Sequence, residues 1–188
     1  MYHVKSPPIE PLLDVVARLE RAGLPCALGG SGLLAALELV DRVNDWDLTC
    51  DADPDRVAPL LEGLGLDLHG NDALHADHKL TLREERIEVI CRFAFHGPLG
   101  TIRLACVPSG VWRGVPLSSV ETWAVAYALL AEGERSARRR ARSERLFELL
   151  ARRGVDERVR VELLEQPLPA ALAERLRALP PRPTSSVT

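Results

Sequence analysis

No run of 18 apolar residues occurs in the 188-residue sequence, which excludes a helical membrane span. Its four cysteines, Cys26, Cys50, Cys91 and Cys106, form no C-x-x-C pair, so the commonest zinc and dithiol spacings are missing. Each cysteine sits in an apolar stretch and reads as a small buried hydrophobe in a reducing compartment. Positive charge is not in excess: the net charge is -3, which excludes a generic nucleic-acid binder. Lysine is almost absent, with Lys5 and Lys79 the only two. The opening MYHVKSPPIEP lacks the apolar core of a signal peptide, and the expected location is the cytoplasm. No internal repeat is visible.

The charge that is present is uneven. Residues 41–56 carry six Asp and two Arg, and residues 134–153 carry eight Arg and three Glu. Solvated faces produce such blocks. So does an acidic metal site paired with a basic surface for an anionic substrate.

Hydrophobic spacing divides the chain. Leu12, Val15, Val16 and Leu19 repeat at helical intervals over 9–22, with Gly23 and Pro25 behind them. Residues 26–28 predict a short buried strand, and Ser31 is placed to cap a helix over 32–40. Residues 45–51 alternate, with Asp45, Asp47, Thr49 and Asp51 on one face and Trp46, Leu48 and Cys50 on the other. A helix is expected from Pro54 to about Leu64, and then a loop. Residues 78–83 and 86–95 alternate around Glu84-Glu85 as a β-hairpin, and 101–107 reads as a further strand. Ser118 or Ser119 caps a helix to about Ala131, followed by helices over 134–153, 155–165 and 168–178. The expected class is α/β (α+β): a mixed β-sheet flanked by helices over 1–115, a helical region over 116–179, and a disordered tail over 180–188.

The chemistry concentrates in GGSGLLAALELVDRVNDWDL, residues 29–48. Gly29, Gly30 and Ser31 sit where a strand passes into a helix, a turn whose free backbone N–H groups can face a phosphate. It also suits a plain turn. Asp45 and Asp47 at i and i+2 would be neighbours on a strand, about 7 Å apart at Cα. Two carboxylates side by side repel unless a cation joins them, and Mg²⁺ favours such oxygens while keeping positions open for substrate phosphates. The same spacing fits a one-sided strand with its acids in water. In RIEVICRF, alternation puts Glu88, Ile90 and Arg92 on one face, so Glu88 is a candidate third acid.

This order of glycine turn, helix, Asp-x-Asp strand and later acidic strand resembles the polymerase-β-like nucleotidyltransferase superfamily. Arg42, three residues before Asp45, matches an arginine that many of its small bacterial members carry. The likeness covers about residues 11–95. From Ser118-Ser119-Val120-Glu121 through the basic helix it is looser, and similar to small bacterial nucleotidyltransferases and the abortive-infection toxin group. The resemblance implies transfer of a nucleoside monophosphate from an NTP to a hydroxyl or phosphate, with release of pyrophosphate. It implies Mg²⁺ or Mn²⁺ held by Asp45, Asp47 and Glu88, and a triphosphate touched by Gly29, Gly30 and Ser31, with Arg42 either touching phosphate or pairing with the acids. The acceptor it implies is open among RNA, protein and a small molecule. It also admits a non-catalytic binding module of the same fold, such as one component of a toxin–antitoxin pair. Two positions depart from the pattern: the third acid is Glu where Asp is commoner, and Tyr127 stands where some toxin-type relatives have lysine.

Other candidates carry less. Arg135, Arg138, Arg139, Arg142 and Arg145 suit an RNA backbone or an exposed helix face over Leu146, Phe147, Leu149 and Leu150. His69, His75 and His78, with Asp72 and Asp77, match no zinc set of sensible spacing. Lys79 lies near the expected site, as a phosphate contact or a solvated residue. Trp46 is expected to anchor the core behind the acids, and Trp112 and Trp123 to pack or to line a pocket.

Overall fold

A computed structural model describes residues 4–69 and 78–183. The elements run α1 (Glu10–Arg21), β1 (Cys26–Leu28), α2 (Gly30–Ala36), β2 (Trp46–Cys50), α3 (Pro54–Val57) with a 3₁₀ turn at Ala58–Leu61, β3 (Leu66–His69), β4 (His78–Leu82), β5 (Ile87–Cys91), β6 (Ala94–Gly97), β7 (Gly100–Arg103), β8 (Pro108–Trp112), β9 (Val115–Ser118), α4 (Val120–Gly133), α5 (Ala137–Arg153), α6 (Glu157–Leu164) and α7 (Ala170–Arg177). No helix among the described residues is long and apolar enough to cross a membrane. Residues 70–77, which carry Asp72, His75 and Asp77, lie outside the described residues.

The chain forms two compact units, residues 1–95 with 103–119, and residues 96–102 with 120–188. The first contains a seven-stranded mixed sheet in the order β3-β4-β5-β2-β1-β9-β8. Strands β1 and β2 pair antiparallel, while β2 and β5, and β1 and β9, pair parallel. The expected hairpin is present as β4 and β5, antiparallel, with Leu80 opposite Val89. It is shorter than expected: Arg92 takes a φ of +52° and breaks β5 off at Cys91. Ala94–Gly97 then pairs with β7 in a separate two-stranded sheet.

One face of the large sheet carries the core. Leu12, Val15, Val16 and Leu19 of α1 are buried with Trp46, Leu48, Val89 and Leu80. Trp46 is fully buried, and its indole Nε1 donates to the Pro8 carbonyl at 3.2 Å. It anchors the core beneath the neighbouring aspartates, as its alternation implies. Trp112 tilts against it at 6.3 Å between ring centroids.

Sequence spacing misplaces several elements. Pro54 starts only a four-residue helix, which tightens into the 3₁₀ turn. Residues 66–69, expected in a loop, are β3. The expected strand over 101–107 is instead β7 at Gly100–Arg103, followed by β8 and β9. Since β9 lies beside β1, the sheet-bearing unit runs to Ser119 and excludes His96–Ile102.

The second unit is helical apart from a short stretch. The Ser136 side chain caps α5 by accepting the Arg139 N–H at 3.3 Å. Leu146, Phe147, Leu149 and Leu150 line the buried side of α5. Glu121 is fully buried in α4 and accepts the Asp156 N–H at 2.8 Å and the Arg182 guanidinium at 3.1 Å. Pro180 and Arg182, expected to begin a disordered tail, are hydrogen-bonded through their backbones to Val155; residues 184–188 lie outside the described residues.

The sheet also aligns three thiols. Cys26 is in register with Cys50, and Cys50 with Cys91. All three are buried and unbridged, as the sequence implies, while Cys106 is half-buried. Burial pushes the thiols of Cys26, Cys91 and Cys106 up from 9.0 to about 12. The folded state therefore favours the protonated thiol. That stability is full below the unfolded value and is lost as pH rises toward the folded value. The urea midpoint should fall as pH rises above about 9, and Cys91→Ala should flatten the fall. An unchanged slope in the variant would remove Cys91 from this linkage.

Candidate active site

The loop from β1 into α2 sets the site. Gly29 is the residue before the helix, and its N–H donates to the Asp47 carbonyl at 2.8 Å, tying the turn to β2. Gly30 has a φ of +53°, in the left-handed region that glycine adopts without strain. A β-carbon at Gly30 would overlap the Asp47 carboxylate itself. The glycine is therefore required twice, by its backbone angle and by the acid lying against it.

Ser31 does not cap α2. The helix starts at Gly30 with no side-chain cap, and Ser31 is buried within its first turn. Its hydroxyl instead donates to the Asp45 carbonyl at 3.4 Å. A β-carbon at Gly32 would meet the Leu28 side chain at 2.8 Å, so α2 packs tightly on β1. The helix ends at Ala36, short of the expected residue 40.

Asp47 projects from β2 on the face opposite Trp46 and Leu48, and is half-buried. Asp45 stands one residue before the strand, also half-buried. Thr49, on the Asp47 face, is buried and donates to the Ala27 carbonyl at 3.1 Å. Arg42 is exposed, and a backbone bridge to Lys5 holds its position.

Glu88 stands directly opposite Asp47 in the parallel register of β2 and β5. Neighbouring strands lie about 4.8 Å apart, which makes these two carboxylates neighbours on one face. On the far side of Glu88, β4 contributes Thr81 in register and Lys79 diagonally. The Lys79 ammonium contacts Glu88 Oε2 at 2.7 Å, with the two side chains 20% and 26% exposed. Sequence spacing places Lys79 near the site; its partner follows only from the strand register.

The fold thus gathers Gly29, Gly30, Ser31, Asp47 and Glu88, with Asp45 tethered at the edge. Among the described residues no group of three His, Cys, Asp or Glu side chains stands close enough to hold a metal ion. The donor chemistry nonetheless fits a hard divalent ion: Asp45, Asp47 and Glu88 offer only oxygens, and the cradle at Gly30 keeps one of them in place. The Glu88 carboxylate already carries the Lys79 ammonium.

No family model matches the sequence, and no curated protein matches it. Solved structures do. The antibiotic-resistance factor ANT(2'')-Ia in solution superposes with a TM-score of 0.55 at 21% identity, over 89% of this chain and 91% of that one. Its crystal structure with adenylyl-2''-tobramycin gives 0.55 at 20% identity, over 89% and 97%. The fold is that of the nucleotidyltransferases. A Thermotoga maritima protein assigned as a nucleotidyltransferase agrees, with a TM-score of 0.52 at 18% identity over 77% of this chain and 93% of that one. The mixed sheet flanked by helices, expected from the resemblance, is present.

The close approach at Gly30 is testable by comparison with Gly23, which has a φ of +69° and open space around it. Gly30→Ala should cost about 2–4 kcal/mol in urea unfolding, from strain plus overlap. Gly23→Ala should cost about 1 kcal/mol, from strain alone. Equal losses would contradict the contact between Gly30 and Asp47.

Proposed function

We propose that the chain is a metal-dependent nucleotidyltransferase. It moves a nucleoside monophosphate from an NTP to a hydroxyl or phosphate acceptor and releases pyrophosphate. The observation that carries this reading is the Asp47 carboxylate seated on the Gly30 backbone and in register with Glu88, on a nucleotidyltransferase fold.

In this reading Gly29, Gly30, Ser31 and Arg42 bind the nucleotide. The glycine backbone admits a phosphate at close range, and Arg42 is exposed to reach it. Asp45, Asp47 and Glu88 hold Mg²⁺ or Mn²⁺. When bound, the ion neutralises charge on the phosphates and lowers the pKa of an attacking oxygen. Glu88, in register with Asp47, would also help to deprotonate an incoming hydroxyl. The cytoplasm, with its NTP and Mg²⁺, is the compartment such an enzyme needs.

The acceptor is first sought among small hydroxyl-bearing molecules, because ANT(2'')-Ia is described with an adenylylated tobramycin. RNA is the next class to try. Arg135, Arg138 and Arg145 are exposed, while Arg139 pairs with Glu134 at 3.0 Å and Arg142 donates to the Tyr127 hydroxyl at 3.2 Å. Protein side chains complete the set. A second reading, a binding module without turnover such as a toxin–antitoxin component, is favoured by the occupied Glu88 carboxylate.

Incubation with each labelled NTP, Mg²⁺ or Mn²⁺, and aminoglycosides, RNA and proteins as acceptors tests the two readings together. Transfer by the wild type, lowered at least about a hundredfold by Asp47→Asn and by Asp45→Asn without unfolding, is expected. Nucleotide binding without transfer supports the module. Wild-type rates in both variants sink the enzyme reading.

A further inference from the structure

We propose that Lys79 is a built-in cation that occupies Glu88 until the divalent ion arrives, so that metal binding must displace it. The proposal rests on the nucleotidyltransferase reading and adds a regulatory element to its metal site. Asp47 and Glu88 are held in register on adjacent parallel strands. Two carboxylates at such spacing oppose each other's charge. Lys79 lies diagonally across the next pair of strands and places its ammonium on Glu88 Oε2 at 2.7 Å. Both side chains are mostly buried, so the pair is poorly screened by solvent.

The residue type fits the role. Lysine is a compact point charge on a flexible stem, able to swing off a carboxylate, whereas arginine grips it through a planar fork. The sequence uses arginine almost everywhere else; Lys5 is the one other lysine. With the ammonium in place one Glu88 oxygen is taken, and no group of three carboxylate, His or Cys ligands stands together among the described residues. Released, the same ammonium is free to follow the negative charge of the incoming triphosphate.

Competition for one carboxylate predicts that removing the competitor tightens metal binding. Free Mn²⁺, read by electron paramagnetic resonance with and without a non-hydrolysable NTP, reports this without turnover. Lys79→Met keeps the apolar stem and should bind Mn²⁺ about threefold to tenfold more tightly than wild type. Lys79→Arg restores the ion pair and should return the affinity to the wild-type value or below. Arg21→Ala, which removes the same charge from the helix on the opposite face of the sheet, should leave it unchanged. In a Glu88→Gln background, Lys79→Met should lose its effect, since the coupling runs through Glu88. Circular dichroism checks that each variant is folded. Equal or weaker Mn²⁺ binding by folded Lys79→Met overturns the proposal, as does an effect that persists in Glu88→Gln. If wild type binds Mn²⁺ with nucleotide and Lys79→Met does not differ, only the role of Lys79 falls. If no variant binds Mn²⁺ with or without nucleotide, the nucleotidyltransferase reading falls with it.

Discussion

The Asp47 carboxylate lies against the backbone of Gly30 at a distance that excludes a β-carbon. That contact fixes the relation between the turn and the strand. The Gly29 N–H locks the same turn to the Asp47 carbonyl, and the Ser31 hydroxyl reaches the Asp45 carbonyl. Three consecutive residues of the turn thus engage the acidic segment, one by close packing and two by hydrogen bonds. An acid placed this way has little room to relax from the next strand, where Glu88 stands in register. The electrostatic problem of the site follows from packing, and Lys79 answers it from the strand beyond.

The sheet separates its tasks by face. Trp46, Leu48 and Cys50 point into the apolar core with α1, while Asp47 and Thr49 point the other way. Period-two alternation makes this division absolute: a slip of one residue in β2 would send Trp46 to the polar face and Asp47 into the core. The buried cross-strand row of Cys26, Cys50 and Cys91 marks the same register from the core side. Core packing and site geometry are therefore specified by one set of strand pairings.

Much of this was legible in the sequence wherever a simple period governs. Alternation in DWDLTCD and RIEVICRF set Asp47 and Glu88 each opposite the apolar face of its own segment, and helical spacing placed Leu12, Val15, Val16 and Leu19 on α1. What escaped depends on long-range pairing. Pro108, Ser109 and Gly110 in β8, and Pro116 in β9, break the apolar pattern that signals a strand. Both strands exist because β9 lies against β1 and β8 against β9. Ser31 resembled a helix cap by residue type, but Gly30 with its positive φ starts the helix two residues earlier than expected, and Ser31 is buried in the first turn. The Lys79 and Glu88 pair is nine positions apart in sequence, and only the hairpin register makes it a contact.

In the proposed function the glycine turn, Asp47 and Glu88 form one nucleotide site. Crystals grown with Mn²⁺ and a non-hydrolysable NTP, with anomalous scattering to locate the metal, test it most directly. The expected result is a manganese peak bound by Asp45 and Asp47, with Glu88 moved from Lys79 toward it and the triphosphate against Gly29, Gly30 and Ser31. A nucleotide bound elsewhere, or a metal away from both aspartates, would contradict it.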